Sequence, residues 1–222
     1  MHFLITAGPT REWLDPVRFL SNPSSGKMGY ALAQAARETG ATVMLVSGPV
    51  TVATPRGVER VLVETAAEMA REVFRRAKRA DIIILSAAVA DWTPAARARQ
   101  KMKKETDGKR KTKLVLTLKP TVDIAATLGK SLRPSQVLVG FAAETQRVEA
   151  NARGKLERKN FDMIVANDVS RPGVGFGSDR NEIIIIGRDG SVERPRRAGK
   201  LALARRILRR ACAIHAGKAG LS

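Results

Sequence analysis

The chain has 222 residues, 44% of them hydrophobic, which suits one compact domain, 1–222, with a sizeable core. Its formal charge of +19 calls for an anionic partner, either nucleic acid or a small, highly charged metabolite such as a nucleoside triphosphate. Aromatic content of 4% is thin for a protein that stacks single-stranded bases, and no zinc-finger spacing or convincing helix-turn-helix is present. No stretch is apolar enough to span a membrane and no signal peptide precedes the first strand. A lone Cys212 cannot form an internal disulfide, so a cytoplasmic setting is expected.

The first strand is residues 3–7. A long polar stretch follows, with Gly8, Pro9, Pro16, Asn22, Pro23, Ser24, Ser25 and Gly26. An amphipathic helix is predicted over about 28–39, then a strand over 42–47. The unpaired N–H groups at that helix start favour an anion, and serines with glycine let phosphate approach the backbone. Ser25-Gly26-Lys27 is not a Walker A motif, because Met28 stands where Ser or Thr should hold magnesium. The glycines do not complete a dinucleotide fingerprint either. A short strand follows near 60–63. Thr65 with Glu68 makes a capping box and starts a helix. Ile82-Ile83-Ile84-Leu85, within a strand at 81–86, reads as buried on both faces.

Residues 93–119 break the alternation. Their middle is densely basic (Lys101, Lys103, Lys104, Lys109, Arg110, Lys111, Lys113), and Leu114, Leu116 and Leu118 then alternate. A mobile basic flap followed by a strand, or a hairpin, is expected. Further strands are predicted over 137–142, 163–166 and 182–186, with a helix from 144 to about 158. A final amphipathic, Arg-rich helix is expected over about 199–216. Such alternation predicts a three-layer α/β/α sandwich, Rossmann-like, around a mostly parallel sheet with a flap or hairpin insertion. Ligands in such sheets bind beyond the carboxyl ends of the strands.

The two histidines lie near the termini and no His/Cys cluster has metal-ligand spacing. The strand-end loops offer Arg, Lys, Asn, Asp, Ser and Gly, which suit positioning of phosphates and stabilisation of an oxyanion.

Six blocks in order carry a resemblance: Ile5-Thr6-Ala7-Gly8-Pro9-Thr10-Arg11-Glu12; Asp15-Pro16-Val17-Arg18 with Ser21-Asn22 and Ser24-Ser25-Gly26-Lys27-Met28-Gly29; Ala87-Ala88-Val89-Ala90-Asp91; Lys101-Met102-Lys103-Lys104; Gly140-Phe141-Ala142-Ala143-Glu144-Thr145; and Ala166-Asn167-Asp168-Val169 with Gly175-Phe176 and Ser178-Asp179. The run resembles the phosphopantothenoylcysteine synthetase family of coenzyme A biosynthesis, whose synthetase domain is often fused behind a flavin-dependent decarboxylase; the sequence contains no such domain and either stands alone or is a cut-out. The resemblance implies a ligase that joins 4′-phosphopantothenate to L-cysteine. CTP (ATP in some relatives) forms an acyl-nucleotide and releases pyrophosphate. Cysteine then displaces CMP. Mg2+ carried by the nucleotide, with no protein metal site, and a homodimer whose flap helps complete the neighbouring site are also implied.

The resemblance assigns roles residue by residue. Asn22 would donate to the acyl oxygen, although an Asx-turn before Pro23 would also explain it. Arg18 would hold carboxylate or phosphate, or form a surface ion pair, and Lys101 would reach the triphosphate. Ser24, Ser25 and Gly26 would bind the nucleotide by cradling phosphate. Ala87, Ala88, Asp91, Phe141, Lys155 and Lys159 would meet the nucleotide, with close packing, a turn cap, core and exposed helix charge as their respective bland readings. Asn167 and Asp168 would bind the phosphopantothenate portion. Lys119-Pro120-Thr121-Val122-Asp123 departs from the family's usual form, which weakens any nucleotide role at Thr121. A basic nucleic-acid-binding α/β protein is the alternative from another class. An NAD(P)-dependent oxidoreductase is a nearer rival, disfavoured by the incomplete glycine pattern and the lack of an acidic residue near Ser47.

Overall fold

A computed structural model describes residues 1–103, 114–170 and 177–220. In chain order the elements are β1 (His2–Ala7), β2 (Arg11–Trp13), β3 (Phe19–Ser21), α1 (Lys27–Glu38), β4 (Thr42–Ser47), β5 (Glu59–Leu62), α2 (Ala66–Ala77), β6 (Ile82–Leu85), β7 (Trp92–Pro94), β8 (Leu118–Pro120), α3 (Ile124–Gly129), β9 (Val137–Glu144), α4 (Val148–Arg158), β10 (Met163–Asp168), β11 (Arg180–Asn181), β12 (Ile184–Gly187), β13 (Val192–Glu193), β14 (Ala198–Gly199) and α5 (Lys200–Ala219). The main sheet runs β13-β12-β10-β9-β6-β1-β4-β5. Its strands from β10 to β5 are parallel, and β12 and β13 add an antiparallel edge.

Alternating side chains feed two cores. Phe3, Ile5, Ile82 and Ile84 point to the layer of α1 and α5, where Tyr30, Leu32, Leu203, Ile207 and Leu208 meet them. Leu4, Ile83, Leu138 and Ile164 point to the opposite layer, against Met69, Val73, Leu156 and Phe161. Both faces are covered, which is why these strands read as unbroken apolar runs. α5 follows the same logic: Leu203, Ala204, Ile207 and Leu208 are buried while Arg205, Arg206 and Arg209 are exposed. The capping box of α2 is present, with Thr65 accepting from the Glu68 N–H at 3.2 Å.

The chain leaves β1 towards β4 and β5, then returns to form β6 on the other side of β1. The strand order therefore reverses between β1 and β6, and the two loops that diverge there open a crevice. They stay joined at their roots: Ala88 N–H donates to Gly8 O at 2.9 Å, and Ala90 N–H to Thr10 Oγ1 at 2.9 Å.

Several expectations need correction. The polar stretch after β1 is not a simple loop but contains the β2–β3 hairpin, with Glu12 paired to Leu20. Glu12 is buried and its carboxylate accepts the Ala66 N–H at 2.8 Å, capping α2 from outside, while Arg11 N–H donates to Glu64 O at 2.8 Å. A helix from residue 144 does not form, because β9 continues to Glu144, paired with Asp168 of β10; α4 begins only at Val148. Within the flap, β7 and β8 do form a hairpin pair. The alternation at Leu114 and Leu116 is not strand, and only Leu118 joins β8. Lys104, Lys109, Arg110, Lys111 and Lys113 lie outside the described residues, as do Gly175 and Phe176. The short α3 was not anticipated.

Candidate active site

A cavity of ≈ 670 Å³ opens at the carboxyl ends of the parallel strands, where the order reverses. Asn22, Ser24, Ser25, Gly26, Ala87, Ala88, Asp91, Phe141, Lys155, Lys159 and Asn167 all line it.

One wall is the start of α1. Gly26 has φ 72, a left-handed conformation natural to glycine, and no side chain caps the helix. The first-turn N–H groups therefore keep their capacity for an anion. Gly29 seats this turn on the sheet, since a Cβ there would lie 2.5 Å from Ala7 Cβ and 2.8 Å from Ser86 Oγ. Ser24 Oγ accepts the Gly26 N–H at 3.3 Å and its own N–H donates to Asn22 O at 2.8 Å. The Asn22 amide bridges to the opposite wall, donating to the carbonyls of Ala88 and Val89, each at 3.2 Å. Ala87 and Ala88 thus present backbone rather than bulk to the cavity.

Lys27 and Lys200 line the same end. Lys27 donates to Asp179 Oδ1 at 2.6 Å and to Gly177 O at 3.1 Å. That bond holds the Asp179 carboxyl below its ordinary range. Burial depresses the Lys200 amine, and the Lys27 charge adds to this against the opposing pull of Asp179. Asn181 and Asn167 complete the polar lining there.

The other end is built from the β6 loop, the β8–α3 turn and α4. Thr121 is tied to the segment before Asp91 through Oγ1 to Ala90 O at 2.7 Å and its N–H to Asp91 O at 2.9 Å. Asp123 caps α3 through the Ala126 N–H at 2.9 Å and pairs with Lys159 at 3.1 Å. Burial would raise its carboxyl, but that N–H and the Lys159 ammonium prevail and lower it. Lys155 pairs with Glu144 at 2.7 Å. The α4 lysines are therefore aimed by acids into the cavity rather than left as loose helix charge.

Three expected site residues stand apart from the lining. Asp168 caps a turn, accepting from Ser170 N–H at 3.0 Å and Oγ at 2.5 Å. Arg18 turns its fork onto Asp15, at 3.0 Å from Nε and 2.6 Å from Nη2. Lys101 is exposed. Conversely, Lys27, Thr121, Asp123, Asn181 and Lys200 line the cavity without having been assigned to it. Lys27 stood inside the Ser-Gly-Lys run, and Pro120 followed by a capping Asp123 was a readable helix start. Asn181 and Lys200 carried no sequence signal.

Among the described residues no group of three or more His, Cys, Asp and Glu side chains is arranged around a metal position. Asp91 and Asp123 are the carboxylates among the described lining residues that could meet a Mg2+ brought by a nucleotide, and Asp123 is already engaged by the Ala126 N–H and Lys159.

The family model described as "DNA/pantothenate metabolism flavoprotein C-terminal domain" matches residues 1–214. The coenzyme A biosynthesis bifunctional protein CoaBC of Bacillus subtilis (strain 168) is 52% identical over 190 residues, 85% of this chain and 45% of that protein. Its Escherichia coli (strain K12) counterpart is 46% identical over 207 residues, covering 91% of this chain and 50% of that protein. The chain thus spans about half the length of the curated relatives it matches. A crystal structure of the C-terminal domain of a CoaBC protein superposes with a TM-score of 0.79 at 42% identity, covering 94% of this chain and 92% of that one. A Cab2 mutant in complex with phosphopantothenate-cysteine shares the fold at 18% identity, with a TM-score of 0.78 over 99% of this chain and 87% of that one. The resemblance read from the motifs and the match across the fold agree: the chain belongs to the DNA/pantothenate metabolism flavoprotein C-terminal domain family.

Proposed function

We propose that this chain is a phosphopantothenate–cysteine ligase of coenzyme A biosynthesis. The observation that carries this reading is the convergence of Asn22, Ser24–Gly26, Ala87–Ala88, Asp91, Phe141, Lys155, Lys159 and Asn167, drawn from distant parts of the sequence, on one cavity. In this reading the 4′-phosphopantothenate carboxylate attacks the α-phosphorus of CTP, and pyrophosphate leaves. The free amine of cysteine attacks the acyl carbon. The C–O bond to CMP breaks as the amide N–C bond forms, and the amine proton passes to solvent. Asn22, fixed between the two walls, exchanges one of its bonds to Ala88 or Val89 for a bond to the carbonyl oxygen as that oxygen gains charge. Lys155, Lys159 and Asp91 bind the nucleotide, which brings Mg2+ on its phosphates. The uncapped α1 start, with Ser24, Ser25 and Gly26, receives phosphate at the other end, where Asn167 accompanies the pantothenate arm.

Arg18 and Lys101 fit this chemistry as contributions to the cavity of a second copy. Strands β7 and β8 and the stretch leading into β8 expose Trp92, Leu114, Val115, Leu116 and Leu118, an apolar surface that a second copy would cover. The nucleic-acid alternative loses much of its support at the Arg-rich end. Arg205 pairs with Glu38, Arg206 and Arg210 with Glu193, and Arg194 with Glu149.

The test is pyrophosphate release with 4′-phosphopantothenate, Mg2+ and CTP or ATP, before and after cysteine is added. CTP-dependent release followed by cysteine-dependent product supports the reading; no release from folded protein with either nucleotide ends it. Mixing Asn22→Asp with Lys101→Ala tests the shared site: two strongly impaired variants should recover activity together. Failure to recover, with dimers present, means each chain uses its own Lys101.

A further inference from the structure

Asp15 is a buried carboxylate for which the cavity gives no role. It is fully buried in the turn between β2 and β3, and its two oxygens do different things. Oδ1 accepts the N–H groups of Val17 and Arg18, both at 2.8 Å, which closes the turn. Oδ2 reaches across the molecule. It accepts from Arg18 Nε at 3.0 Å, Arg18 Nη2 at 2.6 Å and the Met102 N–H at 3.0 Å. Arg18 Nη2 also donates to the Met102 carbonyl. The pair therefore grips both backbone groups of Met102, the residue after Lys101. Two further contacts follow the same seam: Ala98 N–H donates to Leu14 O at 2.9 Å, and the Arg97 guanidinium lies 5.5 Å over the Trp13 ring.

We propose that Asp15 is a positioning residue whose Oδ2 locks the segment bearing Lys101 onto the hairpin bearing Arg18 and leading to Asn22, so that both cations are presented as one unit. A turn needs only one acceptor oxygen, and Oδ1 supplies it. The bonds to Oδ2 exceed what the turn requires. They join the Lys101 segment to the hairpin beside the Ala98–Leu14 bond and the Arg97–Trp13 contact. A buried carboxylate is tolerated only when fully compensated, and here the guanidinium and Met102 N–H provide the compensation. Arg18 is oriented in return. Nε and Nη2 are engaged, while Nη1 has no partner among the described residues and its side chain is 42% exposed. One edge of the fork thus remains for an anion.

The activity arm of the test rests on the proposed role of Lys101; the proteolysis arm does not. Asp15→Asn keeps an acceptor for the turn and replaces Oδ2 with an NH2 group, which cannot accept from Arg18 or Met102. Tryptic cleavage after Lys101 and Lys103, measured well below the melting temperature of either protein, should then accelerate about 10-fold. The kcat for pyrophosphate release should fall about 10-fold, whereas in a Lys101→Ala background the same substitution should cost less than about 2-fold. Equal losses in both backgrounds, or an unchanged cleavage rate, overturn the proposal. If the unmodified chain releases no pyrophosphate, the ligase reading fails while the cleavage rates still decide the clamp. If Asp15→Asn does not fold, Asp15→Ser, whose one side-chain oxygen can serve the turn but not Met102 as well, is decided by the same measurements.

Discussion

The sheet and the two small hairpins beside it are held together by different forces. In the sheet, Leu4, Ile5, Ile83, Leu138 and Ile164 are fully buried, and stability comes from apolar area removed from water. In the hairpins, short strands carry exposed Trp92, Phe19 and Leu118, and order comes from directional polar contacts: Glu12 on Ala66, Asn22 on Ala88 and Val89, Asp15 on Met102. The sheet fixes where the cavity is. The hairpins fix which polar groups reach it, and polar groups deliver chemistry only when aimed.

The sharpest way to separate the two regions is to damage each alone. Leu138→Ala should cost about 2–5 kcal/mol in urea unfolding, with turnover per folded molecule nearly intact. Asn22→Asp should do the reverse. Its carboxylate has no donor for the carbonyls of Ala88 and Val89 and none for a developing oxyanion, so the rate of amide formation should drop about 10²–10³-fold. Little change in rate would show that the bridge between the walls is dispensable. Lys155→Met should raise the KM for nucleotide about 10-fold with a smaller change in kcat, because it removes a charge aimed by Glu144 at the bound state as much as at the transition state.

Acid separates the regions more gently. Burial would raise the Asp15 carboxyl, but the N–H groups of Val17, Met102 and Arg18 and the Arg18 side chain hold it well below the usual carboxylate range. A depressed carboxyl contributes stability that is present above its unfolded pKa of about 4 and lost only as pH falls through the folded value. Trp13 fluorescence in a Trp92→Phe background should therefore stay constant from neutral pH to about 4 and change only below it. A transition near pH 6 would contradict the clamp. At the bottom of the scale, Arg205→Ala removes an exposed pair with Glu38 and should leave the urea midpoint unmoved within error.

The sheet was legible because its signal is local. Ile82 to Leu85 can be read as a doubly buried strand without knowing what covers it, and Thr65 with Glu68 announces a helix by itself. The hairpins were not legible for the opposite reason. Arg11-Glu12-Trp13 buries its acid and leaves its flanks half-exposed, the inverse of a normal strand pattern, because the Glu12 partner is an N–H 54 residues away. The Lys27–Asp179 pair spans 152 residues, and no spacing rule finds it. The Arg18 fork looked available because its acceptor, three residues back, lies in a turn rather than on a helix face. Most of the residues that the resemblance singled out line the cavity, but the resemblance was silent on which groups bind one another.

Glu12 also has a consequence for the order of assembly. Its carboxylate serves α2, and the neighbouring Arg11 N–H serves Glu64, so the hairpin meets its anchors only after β4, β5 and the start of α2 are in place. Its attachment therefore waits on α2, whatever the order in which the sheet strands pair. The segment bearing Asn22 should become native no earlier than the start of that helix. Refolding should yield a burst of sheet and helix signal well before ligand-binding competence, with two clocks running in one chain.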